Sequence, residues 1–306
     1  MVLPAPRLDH VVLDTRDRMD EAVRVYRSLG FHLTERSRHT LGSINHLAVF
    51  ETDYLELLGF DAGEGQARPD IRPDIKAWPA GLNGLVFSLD QPEELYSELQ
   101  GRGVPVDEVQ SFSRPVNLGE GVSPEAKFRV VRLRAGTASF GRVYFCRHLT
   151  PELIWRPEWR RHPNGARSVA RILIAVGDPA AAAELLSRMF GPEAMHHCSH
   201  PGSHPGSHHC SHAGSHPGSD GSWTLAAGPV AVDFVTRQEL SERYGDSAPD
   251  PAGRADYMAA LTIRTASLAA AARALAGGGV TAARVEPQRI VVPASAAMNV
   301  ALEFVE

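Results

Sequence analysis

One pattern occurs four times along the chain, and it restricts the fold more than any other feature. Each copy opens with a short apolar strand, passes through an acidic or hydroxyl residue into a helix, stops at glycine and continues into further strand-like segments. In the first copy residues 8–13 read as the strand, and Asp17 reads as an N-cap with Asp20 three residues on. Met19, Ala22, Val23, Tyr26 and Leu29 recur at helical spacing before Gly30. Residues 31–35, 44–50 and 54–60 are rich in β-branched and aromatic side chains and read as three further strands.

The second copy has its strand at 82–89, a cap at Asp90, the stripe Leu95 and Leu99, a stop at Gly103, and strands at 104–109, 128–133 and 142–147. The third runs from 169–176 through Asp178 and Pro179, a cap followed by proline at the first helical position, to Gly191. The fourth has its strand at 259–264, a helix carrying Leu268, Ala271, Ala272 and Leu275, the glycine run 277–279, and closing strands at 289–292 and 299–305. A parallel α/β sheet needs one strand per helix. Here about three follow each helix, so the pattern predicts an α+β chain of four antiparallel-rich βαβββ modules.

Two modules per domain divide the 306 residues into 1–150 and 167–306, joined by a connector at 151–166. With its flanks (148–166) that connector holds three prolines, Trp155 and Trp159, and the aromatics are expected to pack between the halves. Basic residues are scattered, which argues against a nucleic-acid partner. No apolar run is long enough for a bilayer, and residues 1–10 lack an apolar signal core. The three cysteines, an odd number, argue against a disulfide framework, so a reducing cytoplasm is the expected location. Residues 196–219 are two near-identical twelve-residue units holding eight of the fourteen histidines. This tract interrupts the third module as a Pro/Gly/Ser-rich insertion with no apolar spacing, and it is able to bind metals adventitiously.

The segments LDHVVLDT, YRSLGF and DYLELLGF, followed by SRPV and HLTPELIWRPEWRRHPNGA, resemble the glyoxalase-like, or vicinal-oxygen-chelate, superfamily of glyoxalases, bleomycin-resistance proteins and extradiol dioxygenases, in a bacterial glyoxalase-like branch. The resemblance covers 7–166 well and 167–306 more loosely. It implies that the modules pair into two cup-shaped sheets. It also implies a divalent metal, Zn, Fe, Mn or Ni, in the cup, chelating two neighbouring oxygens of a small substrate.

By the same resemblance His10, on the first strand, and Glu56, on the fourth, occupy ligand positions, with Glu56 a ligand or the catalytic base. The second module departs from the pattern, with Gly84 and a residue near Phe145 at the equivalent positions. A one-residue change of register turns Cys146 and His148 inward, making His148 the candidate third ligand. His39, His46, Arg114 and Cys146 complete the expected substrate-binding set, Arg114 as an anion clamp or a surface residue. In the second half Asp233 and Glu303 match Glu56 but have no histidine partner, which marks that half as structural. The functional expectation is a metal-dependent lyase, isomerase or dioxygenase acting in the N-terminal half, with a homodimer compatible. The alternative is a non-catalytic protein that binds an antibiotic or an aromatic metabolite.

Overall fold

The computed structural model describes residues 5–63, 72–119, 121–198 and 221–306. Sixteen strands form two eight-stranded sheets, ordered β2-β3-β4-β1-β5-β8-β7-β6 and β10-β11-β12-β9-β13-β16-β15-β14. In the first sheet β1 (Leu8–Arg16), β2 (Ser37–Arg38), β3 (Ile44–Val49) and β4 (Tyr54–Gly59) make one module, and β5 (Gly81–Ser88), β6 (Gln110–Pro115), β7 (Glu125–Arg132) and β8 (Arg142–His148) make the next. Each module pairs its first and last strands in parallel, and β1 joins β5 antiparallel, so the modules are related by a pseudo-two-fold axis between those central strands. The second sheet repeats this arrangement with β9 (Ala166–Ala175) and β13 (Tyr257–Thr265) at its centre, flanked by β10 (Met195–Cys198), β11 (Ser222–Ala227) and β12 (Val230–Val235) on one side and β14 (Arg284–Val285), β15 (Ile290–Val292) and β16 (Ala301–Val305) on the other. Four antiparallel-rich modules in two sheets are the α+β architecture that the repeat predicts.

The helices start and stop where local chemistry dictates. α1 (Met19–Ser28) is followed by Gly30 at φ 81°, and α3 (Pro92–Gly101) by Gly103 at φ 70°. Glycine takes this left-handed backbone without the Cβ penalty. Between them the short α2 (Pro73–Lys76) precedes β5. Asp178 caps α4 (Pro179–Phe190) as expected, accepting from the amides of Ala180 and Ala181. Asp17 and Asp90 do not cap: the boundary residues are Arg18 and Gln91, neither with a side-chain cap. A capping box of Thr236 and Glu239 starts α5 (Arg237–Tyr244), a helix that the repeat does not contain, and α6 (Leu268–Gly277) closes the set.

Two expected strands fall elsewhere. Residues 31–35 have no strand pairing, the short β2 coming later, and 104–109 contributes a single bridge, Val106 to Leu133, before β6. Both segments pack their apolar side chains in the core without extending the ladder.

One large apolar cluster draws on both halves. Phe31 stacks near Phe304, Phe87 meets Phe190 and Phe140 meets Phe234. Two smaller clusters fill the concave faces. In the first cup Thr40 N donates to Ser113 O at 2.9 Å, tying the β2 edge to β6 and bringing the ends of the sheet together. Ile154 is buried in the first cup's cluster with Trp155 and Trp159 packed against it, and Trp155 stacks edge-on to His148 and Tyr54. The connector's aromatics therefore cover one end of this cup, where the sequence suggested packing between the halves. Most of the histidine-rich tract, 199–219, lies outside the described residues. Among those described, no helix is long and apolar enough to cross a membrane.

Candidate active site

Strand alternation sorts the side chains of the first sheet. Val12, Leu47, Val86, Tyr144 and Cys146 face the cup, whereas Val11, Leu85 and Phe145 face the helices and the shared core. The registers fix the equivalences under the pseudo-two-fold. Glu56 lies beside Val12, two residues after His10, and Tyr144 lies beside Val86, two residues after Gly84. The counterpart of Glu56 is thus Tyr144 and not Phe145, while that of His10 is Gly84.

The inward face gathers His10, His39, Asn45, Glu56, Tyr144 and Cys146 around about 30 Å³ of open space. That is room for one or two water-sized groups. Glu56, 6% exposed, accepts from Asn45 Nδ2 at 2.7 Å. His10 Nε2 is 3.7 Å from its Oε2, and His39 Nε2 is 3.8 Å from its Oε1. Burial holds His39 well below the ordinary imidazole range, helped by Arg114, Arg72 and Arg132, so it is neutral at pH 7. Burial also raises Tyr144 and Cys146 well above their ordinary values, which keeps a phenol and a thiol in the cup.

Behind His10 stands a residue that sequence reasoning passed over. Asp9 accepts from His10 Nδ1 at 2.6 Å and from His148 Nε2 at 3.0 Å. Burial pushes its carboxyl up, but the two histidines, His148 foremost, outweigh this and hold it well below the usual carboxylate range. As an ionised acceptor, Asp9 makes both of those ring nitrogens donors. In the neutral imidazole, His10 Nε2 is then left to accept from the Tyr144 hydroxyl at 3.2 Å. Neighbouring strand residues ordinarily face opposite ways. Here the β1–β5 register slips between Leu8 and His10, and the resulting bulge leaves Asp9 unpaired and able to reach the His10 ring.

Of the expected site residues, His10, His39, Glu56, Arg114 and Cys146 meet in one cavity. His148 is drawn to Asp9 instead, its Nδ1 buried without a partner. His46 is satisfied elsewhere: it alternates with cup-facing Leu47 and bonds Thr34 O at 2.7 Å and Arg36. Arg114 is buried at 4% exposure, which removes the surface reading. Asn45, Tyr144, Arg72 and Arg132 also line the cavity and were not singled out from the sequence. Asn45 carries a signal in retrospect, a polar residue two positions from cup-facing Leu47 on the same strand face.

The residues do not fit a metal at the family's positions. Two of the four, His10 and Glu56, offer ligand atoms; Tyr144 is a neutral phenol and Gly84 has no side chain. A Cβ at Gly84 would lie 2.5 Å from the Val12 Cβ, so that quadrant is already filled. Among the described residues, one group of His, Cys, Asp and Glu has donor atoms close enough together to share an ion, namely Asp9, Cys146 and His148. His10, Glu56 and His148 do not form such a group. In the second half Asp233 is paired with Arg171, and Glu303 is held by Arg243 at 2.7 Å and Arg289 at 2.9 Å. Those carboxylates are neutralised within the fold.

The family profile described as a glyoxalase-like domain matches residues 8–190. The chain belongs to that family, within the vicinal-oxygen-chelate superfamily. Among solved structures it is similar to a hypothetical protein from Staphylococcus aureus, at 10% identity and TM-score 0.60, covering 97% of this chain and 98% of that one. It also resembles a mutant of 4-hydroxymandelate synthase from Streptomyces coelicolor, at 12% identity and TM-score 0.53, with coverages of 99% and 93%. A third likeness is to a fusion of a xylose isomerase-like TIM barrel with 4-hydroxyphenylpyruvate dioxygenase, at 10% identity and TM-score 0.54, where the whole of this chain matches 49% of that one. At these identities the likeness is one of fold. No curated protein matches.

Proposed function

We propose that the first cup is the active site of a glyoxalase-like enzyme acting on a small molecule with neighbouring oxygens, in which Glu56 moves a proton. One observation carries this reading. Glu56 is buried and faces the cavity, yet it makes no ion pair with the arginines around it, being held by the Asn45 amide with two imidazoles just beyond contact. A carboxylate is costly to bury, and this one keeps acceptor capacity toward whatever enters. A substrate with a C–H beside a carbonyl gives that proton to Glu56, and the second N–H of the Asn45 amide donates to the oxygen that gains charge. Isomerase and lyase reactions use these groups directly.

The test is exchange of carbon-bound hydrogen in deuterium oxide, followed by NMR for hydroxyacetone, glycolaldehyde and lactate, with and without added Zn, Mn, Fe or Ni. Glu56→Gln should slow exchange at least ~100-fold, the scale of general acid–base catalysis, with unchanged folding by circular dichroism. Exchange that survives in Glu56→Gln removes the proposed role. A second reading, a binding protein of the bleomycin-resistance type, is favoured by Gly84 and Tyr144 standing where ligands would be. It expects saturable binding with no exchange in the wild type.

A further inference from the structure

The charges lining the first cup do not balance, and we propose that a ligand carboxylate balances them: Arg114 and Arg132 form a receptor for the monoanion of a small organic acid. This rests on reading the first cup as the ligand site and specifies what enters it.

Arg114 extends from β6 into the cavity, buried, and its one hydrogen bond runs from NH1 to Ser37 Oγ at 3.0 Å. Its guanidinium lies 5.9 Å from the Phe128 ring. Arg132, at the end of β7, bonds Gln110 Oε1 and lies over the rings of Phe112 and Tyr144. Among the described residues neither has a carboxylate within 4.0 Å. A guanidinium carries five N–H donors, so most of each fork is unused by the protein. Burial pulls both guanidiniums below their ordinary values, as expected of cations without a counter-charge.

Several other arginines around the two cups have carboxylate partners. Arg72, on the same cavity, makes a two-pronged pair with Asp74 at 2.8 and 2.9 Å, and Arg142 is 3.5 Å from the same carboxylate. The second cup pairs Arg171 with Asp233, and both Arg243 and Arg289 with Glu303. The first cup thus holds two unpaired cations against one anion, Glu56. A ligand bringing negative charge gives Arg114 and Arg132 the counter-ion that the protein does not. A carboxylate supplies that charge in the planar, two-oxygen form that guanidinium forks match. Arg132 also borders two outer cavities of about 260 and 740 Å³, which gives the remainder of the acid somewhere to extend.

The experiment is a titration of the full chain with pyruvate and lactate, their neutral counterparts hydroxyacetone and 1,2-propanediol, and inorganic phosphate, read by saturation-transfer NMR and calorimetry at low and high salt. The acids should bind at least tenfold more tightly than the neutral compounds, with affinity falling as salt rises. Arg114→Gln and Arg132→Gln should each weaken the acids on the order of tenfold, the scale of a charge-assisted hydrogen bond, and leave the neutral compounds unchanged. Arg114→Lys should recover part of the loss. Neutral compounds binding as tightly as the acids, or phosphate binding best, would overturn the proposal, and the wild-type comparison decides this even if the variants fail to fold. Glu56→Gln separates the two readings. If it stops proton exchange but still takes up pyruvate, both stand. If exchange persists while the acid preference holds, the role of Glu56 falls and the carboxylate receptor remains.

Discussion

Replacing Asp9 by Asn tests whether a buried anion organises the histidines. The substitution keeps an oxygen where Asp9 Oδ1 stands, so the contacts to His10 at 2.6 Å and to His148 at 3.0 Å can persist, but both change from charge-assisted to neutral bonds. A hydrogen bond to a charged group contributes about 1.5–3 kcal/mol and a neutral one about 0.5–1.5. Two such changes sum to a loss of ~2 kcal/mol, part of it offset because a neutral amide is cheaper to bury. Urea unfolding at pH 7 should show Asp9→Asn less stable by about 1–2 kcal/mol with an unchanged m-value. The sign of the pH dependence follows from the carboxyl being held below its ordinary value in the fold. The native state then binds fewer protons than the unfolded chain, so this stabilisation is complete above the unfolded value of 3.8 and fades as pH falls below it. The gap between wild type and variant should therefore narrow in acid. A variant as stable as wild type at pH 7, or a gap that widens in acid, would refute the argument.

Two further outcomes are expected. Burial lowers His162 from 6.5 to about 4, so acid costs stability between those values, while burial raises Asp53 from 3.8 to about 6, so acid restores it over nearly the same window. Each shift is about 3 kcal/mol at 1.36 per unit; Asp53→Asn should make the wild type's shallow acid profile steep between pH 6.5 and 4, and two parallel urea-midpoint profiles would contradict this. Deleting residues 196–219 should remove most zinc or nickel bound by the purified chain, measured by plasma emission, whereas His10→Ala should not; stoichiometric metal in the deletion variant that disappears with His10→Ala would restore a family-type metal site.

Much of the fold was legible because it rests on local rules. Glycines such as Gly30 and Gly103 mark helix ends through their backbone freedom, and apolar periodicity marks β1, β4 and β5 within a few residues. The family resemblance, and not those rules, brought His10 and Glu56 into one hollow. What the local rules missed depends on register and long-range partners. Reading the β8 alternation one residue out gave Phe145 in place of Tyr144, since a single step reverses every side chain. Asp9 was invisible because its direction comes from a bulge, which no pattern of residue types announces. Arg132 was invisible for another reason: whether an arginine is balanced depends on acids from distant strands. The same limit applies to His148, whose partner lies 139 residues away.

The core common to the two halves has a consequence for how such a chain can change. Because Phe304 and Phe190 pack against Phe31 and Phe87, the second half props the first from behind. In its own cup Asp233 and Glu303 are held by arginines, so substitutions there act first on the shape of the bracket. If the first hollow works as proposed, it is free to trade stability for reactivity, with a duplicate of itself as ballast.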